Sequence, residues 1–202
     1  LYIEIVLMVF MFLCGCNFAL HYQCVHGKMR GILKNSELRF FVCLLLSAII
    51  IITLFMYFSE PQAYHGKIKD DNYSSFFGCL RYASFQVVSM CTTTGYCSAD
   101  FDLWPDICRF LLVLLMVFGS CAGSTAGGMK NIRIVMIIKH GLRELELLIR
   151  PSAVKHIKIN KVSIDENIIK TTLGFFVSYI GTIVLCFLIL ISLKIEVITA
   201  LT

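Results

Sequence analysis

Two short polar pieces, each carrying glycine, interrupt the apolar runs of this sequence: Thr92-Thr93-Thr94-Gly95-Tyr96, and the segment from Gly119 to Gly128. The flanking chain is apolar enough to lie in a membrane. At that depth irregular polar backbone is tolerated only where protein buries it or a water-filled path runs beside it. The two pieces are therefore the expected working parts and the rest of the chain their scaffold. Composition agrees, with 58% apolar and 15% charged residues, against about 25% charged in soluble domains. The apolar residues come in long blocks, as in membrane spans. The expected fold class is an all-α integral membrane protein held in a lipid bilayer. The net charge of +5 follows topology and not a nucleic-acid surface, so no nucleic-acid partner is expected. The sequence opens inside one apolar run and closes just after another, and reads as a piece of a longer protein.

In chain order, Leu1–Tyr22 reads as one membrane helix, apolar except for Glu4, Asn17 and His21. Residues 23–39 form a cytoplasmic loop with Lys28, Arg30, Lys34 and Arg39 against Glu37. Phe40–Phe58 is a span of near-minimal length, and Ser59–Tyr73 a polar loop. Ser74–Met90 carries Arg81 and Gln86; it is too short and too polar to span, and reads as a helix that enters the membrane partway. Trp104-Pro105-Asp106 opens the next helix. Pro suits a first helical turn, Asp the positive end of the helix dipole, and Trp the membrane interface. That helix ends near Phe118 and reaches roughly 21 Å, short of a core of about 30 Å. The glycines of Gly119–Gly128 interrupt it, and helical sequence resumes from Met129 to about Arg150, where Pro151 stops it. Residues 40–150 thus make one helix–pore loop–helix repeat with a broken second helix. Residues 151–167 form a polar cytoplasmic linker, and 168–202 hold the first helix of another repeat, with its span over Ile168–Leu193.

Charge sets the orientation. Segments 21–39 and 130–170 hold thirteen Lys and Arg, whereas 59–110 holds four, with six Asp and Glu. The excess of Lys and Arg marks the inner side, so the Thr-Gly piece opens outward. An internal repeat supports the same frame. Leu7-Met8-Val9-Phe10 recurs as Leu115-Met116-Val117-Phe118, and Phe40-Phe41-Val42 as Phe175-Phe176-Val177, in the same order. Internal repeats of this kind are common in transporters.

The chemistry expected of Thr92–Tyr96 is cation dehydration. Backbone carbonyls can replace the water shell of an alkali cation, Gly95 permits the required backbone angles, and Thr hydroxyls add oxygens. The short helix before it aims its negative end at the cation. Thr92, Thr93, Thr94, Gly95 and Tyr96 are the filter candidates, with the cation, K⁺ on the resemblance given below, at Thr93, Thr94 and Gly95. An ordinary Thr/Gly turn explains the five residues alone, but not their place after a half-span helix. Gly123-Ser124-Thr125-Ala126-Gly127-Gly128-Met129-Lys130 superficially resembles a phosphate loop. Its spacing is off by one, Asn131 stands where Ser or Thr is needed, and no strand precedes it. A flexible break in a pore-lining helix is the better reading, ahead of tight helix packing. Two readings stand for Lys130: a functional charge at the inner boundary, or a side chain snorkelling to the interface. Arg109 and Asp106 are spaced for an intrahelical pair. No enzyme is expected, because no Asp, Glu or His falls within Ile107–Met129 to serve an intramembrane hydrolase. Cys14 and Cys16 lack partners for a zinc site, and Cys91 and Cys97 flank the Thr-Gly piece with oxidation left open.

These residues carry a resemblance. TTTGY at 92–96, ADFDLWPD at 99–106, GSCAGSTAGGMK at 119–130 and GLRELELLIRP at 141–151 resemble the third repeat of the Trk/Ktr/HKT superfamily of potassium transporters, and NFALHY at 17–22 the inner end of its second repeat. The likeness is strongest to the bacterial Trk-type uptake subunit and covers nearly all of the chain. It implies potassium-channel-like helix–pore loop–helix repeats, four to a subunit, with one filter strand each around a central pore. It implies an intramembrane gating loop at Gly119, Ser120, Gly123, Ser124, Thr125, Gly127 and Gly128, with Lys130 at its end. It also implies potassium as the transported ion and no bound cofactor. A homodimer in the bacterial inner membrane is implied, with a cytosolic nucleotide-binding regulatory protein as partner. The alternatives are the potassium-translocating subunit of an ATP-driven pump and a Na⁺-coupled Ktr-type transporter. The other three filter strands are not in this sequence, which also leaves open H⁺ or Na⁺ symport against channel-like flow.

Overall fold

A computed structural model describes residues 2–27, 35–58, 75–150, 157–159 and 162–193. The expected loop over Ser59–Tyr73, the basic residues Lys28, Arg30, Lys34, Lys155 and Lys161, and the end of the chain after Leu193 lie outside the described residues. Two compact units divide the chain, 1–131 and 132–202.

The first unit contains α1 (Tyr2–Gly15), α2 (Phe18–Val25), α3 (Ser36–Phe58), α4 (Phe76–Cys91), a single 3₁₀ turn (Phe101–Leu103) and α5 (Asp106–Phe118). Its hub is α4, which packs against α1, α3 and α5. From Phe85 to Cys91 every residue of α4 is buried. A short helix bearing Gln86 and Ser89 can sit at membrane depth because protein, and not lipid, surrounds it. Helix α3 presents Phe41, Leu45, Ala48, Ile52 and Met56 as one buried stripe at helical spacing, and α5 presents Cys108, Leu112 and Leu115. In lipid such contacts are held by close packing more than by the hydrophobic effect. Gly15 illustrates this: a β-carbon there would stand 2.9 Å from Thr92 Cγ2 and 3.0 Å from Phe41 Cζ.

The single helix expected over Leu1–Tyr22 is two helices, α1 and α2, bent by 103°. The turn is built locally. Asn17 precedes α2 and its side chain accepts from Ala19 N at 2.8 Å, an N-cap that competes with helix continuation. At the end of α1, Leu13 O accepts from Cys16 N at 3.1 Å and meets His21 Nε2 at 2.9 Å. Helix α3 starts at Ser36, not Phe40, because Asn35 Oδ1 caps it by accepting from Glu37 N at 2.9 Å. Glu4 and Arg81, unassigned by the sequence, form a forked ion pair between α1 and α4 at 2.5 and 2.7 Å. Such a two-point contact orients as well as attracts.

The second unit holds α6 (Asn131–Ile149, whose first residue closes the first unit), a minimal antiparallel pair β1 (Lys158–Ile159) and β2 (Val162–Ser163), and α7 (Glu166–Ser192). The hairpin occupies part of what reads in sequence as plain linker, and α7 starts two residues earlier than Ile168. Arg143 reaches Glu166 at 3.3 Å, and the Arg133 guanidinium lies 4.0 Å from the Phe175 ring centroid. Lys139 Nζ donates to Lys158 O at 2.7 Å. By length and composition, α3 and α7 are able to cross a membrane.

Candidate functional site

The filter candidates grow out of the end of α4. Thr92 caps the helix: its N donates to Val88 O at 3.0 Å and its hydroxyl to the same carbonyl at 2.7 Å. The chain then doubles back along its own helix. Thr93 N donates to Met90 O at 3.1 Å and Thr94 N to Ser89 O at 2.9 Å. Further on, Ser89 Oγ donates to Tyr96 O at 2.7 Å. Thr93 and Gly95 take φ +53° and +79°. Glycine adopts such angles freely; in a β-branched threonine they store strain. The hydroxyls of Thr92 and Thr94 face each other at 2.8 Å, while that of Thr93 accepts from Gly127 N. Residues 93–96 are exposed. Among the described residues nothing donates to the carbonyls of Thr93 and Thr94, and Gly95 O meets only Cys97 Sγ, at 3.9 Å. The result is an exposed run of uncommitted carbonyl oxygens at the negative end of a helix.

The second piece is a closed loop. Helix α5 stops at Phe118 with Gly119 at φ +70°, and α6 starts at Asn131. The two ends of the loop cross glycine on glycine: a β-carbon on Gly119 would lie 2.5 Å from Gly127 O, and one on Gly128 would lie 2.6 Å from Gly119 Cα. Asn131 N closes the ring on Ser120 O at 2.9 Å and Met129 N on Val117 O at 3.1 Å. Lys130 has φ +71° and its ammonium donates to Ala126 O, so this charge fastens the last turn of the loop.

The loop is stitched to the rest of the first unit at many points. Cys121 N donates to Gly15 O at 3.1 Å, and Gly123 O accepts from Phe18 N at 3.1 Å. The break between α1 and α2 thus supplies backbone groups that a continuous helix would have used itself. Thr125 reaches Cys14 O with its hydroxyl at 3.3 Å. Ala122 N donates to Glu37 Oε1 at 2.5 Å. Cys91 and the loop exchange bonds: Cys91 Sγ to Gly119 O at 3.2 Å, and Ser120 Oγ to Cys91 O at 3.0 Å. Gly127 N donates to Thr93 Oγ1 at 2.7 Å, which joins the loop directly to the filter candidates. Ser124 stays within the loop, its hydroxyl on Cys121 O at 2.6 Å.

Of the residues singled out from sequence, the structure joins the strand to the loop at Thr93 and Gly127, while Thr94 and Tyr96 are tied back to α4. Sequence reasoning missed Gly15, Asn17 and Glu37. A glycine two residues before a capping asparagine was the available sign for the first two. Glu37 gives no local sign, since its partner lies 85 residues away. Asp106 and Arg109 pair as their spacing suggests. Cys91 and Cys97 are free thiols, the first buried and the second exposed. Among the described residues no His, Cys, Asp and Glu side chains gather into a metal-holding group.

Comparison with known proteins gives a consistent result. The family profile of TrkH, described as a cation transport protein, matches residues 1–202. The Trk system potassium uptake protein TrkH of Halomonas elongata is 37% identical over 191 residues, covering 94% of this chain and 36% of that protein. Its counterpart in Escherichia coli K12 is 32% identical, covering 96% of this chain and 38% of that protein. The crystal structure of the potassium transporter TrkH from Vibrio parahaemolyticus superposes with a TM-score of 0.82 at 31% identity, covering 98% of this chain and 41% of that one. The chain thus spans well under half the length of these relatives.

Proposed function

Because this chain belongs to the TrkH family of cation transport proteins, we propose that it supplies one filter strand and the gate of a potassium-uptake pore. The observation that carries this reading is the exposed strand whose Thr93, Thr94 and Gly95 carbonyls are left uncommitted. Carbonyls held this way replace the hydration shell of an alkali cation. Thr92 and Tyr96 frame them, and potassium is the cation named for the relatives. In the complete protein three further strands close the ring. The loop from Gly119 to Gly128, fastened by Lys130, is the gate. It lies beside the strand at the Thr93–Gly127 bond, and its glycines lower the cost of changing conformation. The protein sits in a bacterial inner membrane as a homodimer. A cytosolic nucleotide-binding protein docks on the basic segment from Arg143 to Lys161, steered by charge.

The test is ion flux through the reconstituted full-length parent protein, with and without its regulatory partner. Gly95→Asp should degrade the preference for K⁺ over Na⁺, since it adds a side chain and a charge beside the ion path. Shortening the loop should raise flux and weaken dependence on the partner. An unchanged preference removes Gly95 from the filter; unchanged flux and dependence reduce the loop to a packing break.

A further inference from the structure

Gln86 and Ser89 stand three residues apart on α4, hence on one helix face, and both are 0% exposed. Burying polar side chains is costly unless they are hydrogen-bonded, and apolar residues would pack a hub helix as well. Both are spent on the filter strand. Ser89 Oγ donates to Tyr96 O at 2.7 Å, and Gln86 Nε2 donates to Cys97 Sγ at 3.4 Å. The carbonyl of Ser89 also accepts from Thr94 N at 2.9 Å. One helix face thus pins the strand at positions 94, 96 and 97, on either side of Gly95. A β-carbon at Gly95 would meet no atom within 4 Å, so packing around that residue does not hold the strand, and the restraint comes from the helix behind it.

On the reading of this strand as a filter, we propose that Ser89 and Gln86 are specificity-determining positioning residues. They touch no ion. They fix the height of the Tyr96–Cys97 end and so keep the Thr93–Gly95 carbonyls from closing onto a cation smaller than potassium. Whether selectivity comes from cavity size or from carbonyl field strength, it depends on where the backbone is held.

The experiment uses the full-length parent protein with Ser89→Ala, Gln86→Met and, as a control, Thr53→Val. Thr53 is 1% exposed on α3 and its hydroxyl has no partner among the described residues, so it tests buried polarity away from the strand. Protein in the membrane is quantified, and Rb⁺ and Na⁺ uptake are measured in a transport-deficient host. Ser89→Ala and Gln86→Met should each lower the Rb⁺/Na⁺ preference by roughly three- to tenfold, the scale of one lost hydrogen bond, while Thr53→Val leaves it unaltered. A normal preference in both variants, with Gly95→Asp still degrading it, overturns this inference and spares the filter reading. A normal preference in Ser89→Ala, Gln86→Met and Gly95→Asp alike overturns the filter reading itself. If neither Ser89→Ala nor Gln86→Met accumulates in the membrane, the pair is scaffold and the inference is also overturned.

Discussion

The proposed filter strand and the loop proposed as a gate are both polar, glycine-bearing interruptions of apolar sequence, yet they are held in opposite ways. The strand is fastened mainly to the helix that delivers it, through Val88, Ser89, Met90 and Gln86. The loop is fastened to α1, α2, α3, the end of α4 and the strand, through Cys14, Gly15, Phe18, Glu37, Cys91 and Thr93. Local ties make the strand's shape a property of some twelve consecutive residues. Distant ties make the loop's shape a report on how its neighbours are arranged. This is the division expected of a rigid selector beside a responsive gate.

The contrast is open to test at its two glycines. Gly119→Ala places a β-carbon 2.5 Å from Gly127 O and 2.9 Å from Gly128 Cα, at positive φ. Neither neighbour is a flexible side chain, so the change should cost about 3 kcal/mol or more. Gly95→Ala meets nothing within 4 Å and should cost only the left-handed backbone penalty, about 1–2 kcal/mol. Thermal unfolding of the full-length protein in detergent compares them; equal losses would break the distinction.

A middle-sized effect is expected at Glu37. Glu37→Ala removes the carboxylate that accepts from Ala122 N, and a hydrogen bond to a charged group contributes about 1.5–3 kcal/mol. Flux should lose part of its partner dependence while ion preference is kept. A changed preference with normal gating would reverse the roles assigned to loop and strand. The smallest effect belongs to Thr93→Val, which takes away the hydroxyl that accepts from Gly127 N, worth about 0.5–1.5 kcal/mol. Among the described residues this is the hydrogen bond that joins the two regions, so partner dependence and ion preference should both shift, by a few fold. A shift in only one would show that the regions work independently.

The same difference explains what could be read in advance. The half-helix, the turn at Thr92 and the strand after it were legible because hydropathy, helix length and glycine placement all act within a short window. The loop was legible as a break, from its glycines and the short helix before it, but not as a stitched object. Glu37 reads as one acid among the basic residues of an inner loop, since Ala122 is 85 positions on. Glu4 and Arg81 read as isolated blemishes in apolar helices, since 77 residues separate them. The bend after Gly15 was hidden because hydropathy records the composition of Leu1–Tyr22 and not its direction, and Phe18, Ala19 and Leu20 continue the apolar run.

The stitching of the loop has a consequence for biogenesis. Among the described residues, the groups on the helices and strand before α5 that hold residues 119–127 in place, from Cys14 O to Thr93 Oγ1, all precede Gly119 in the chain, and Asn131 N, which donates to Ser120 O, follows a few residues later. A chain made from its N-terminus folds in that order. When the ribosome reaches Gly119, its docking groups have already been synthesised. The loop can settle as it emerges, before α7 exists, and later segments are then threaded past a loop that is already docked.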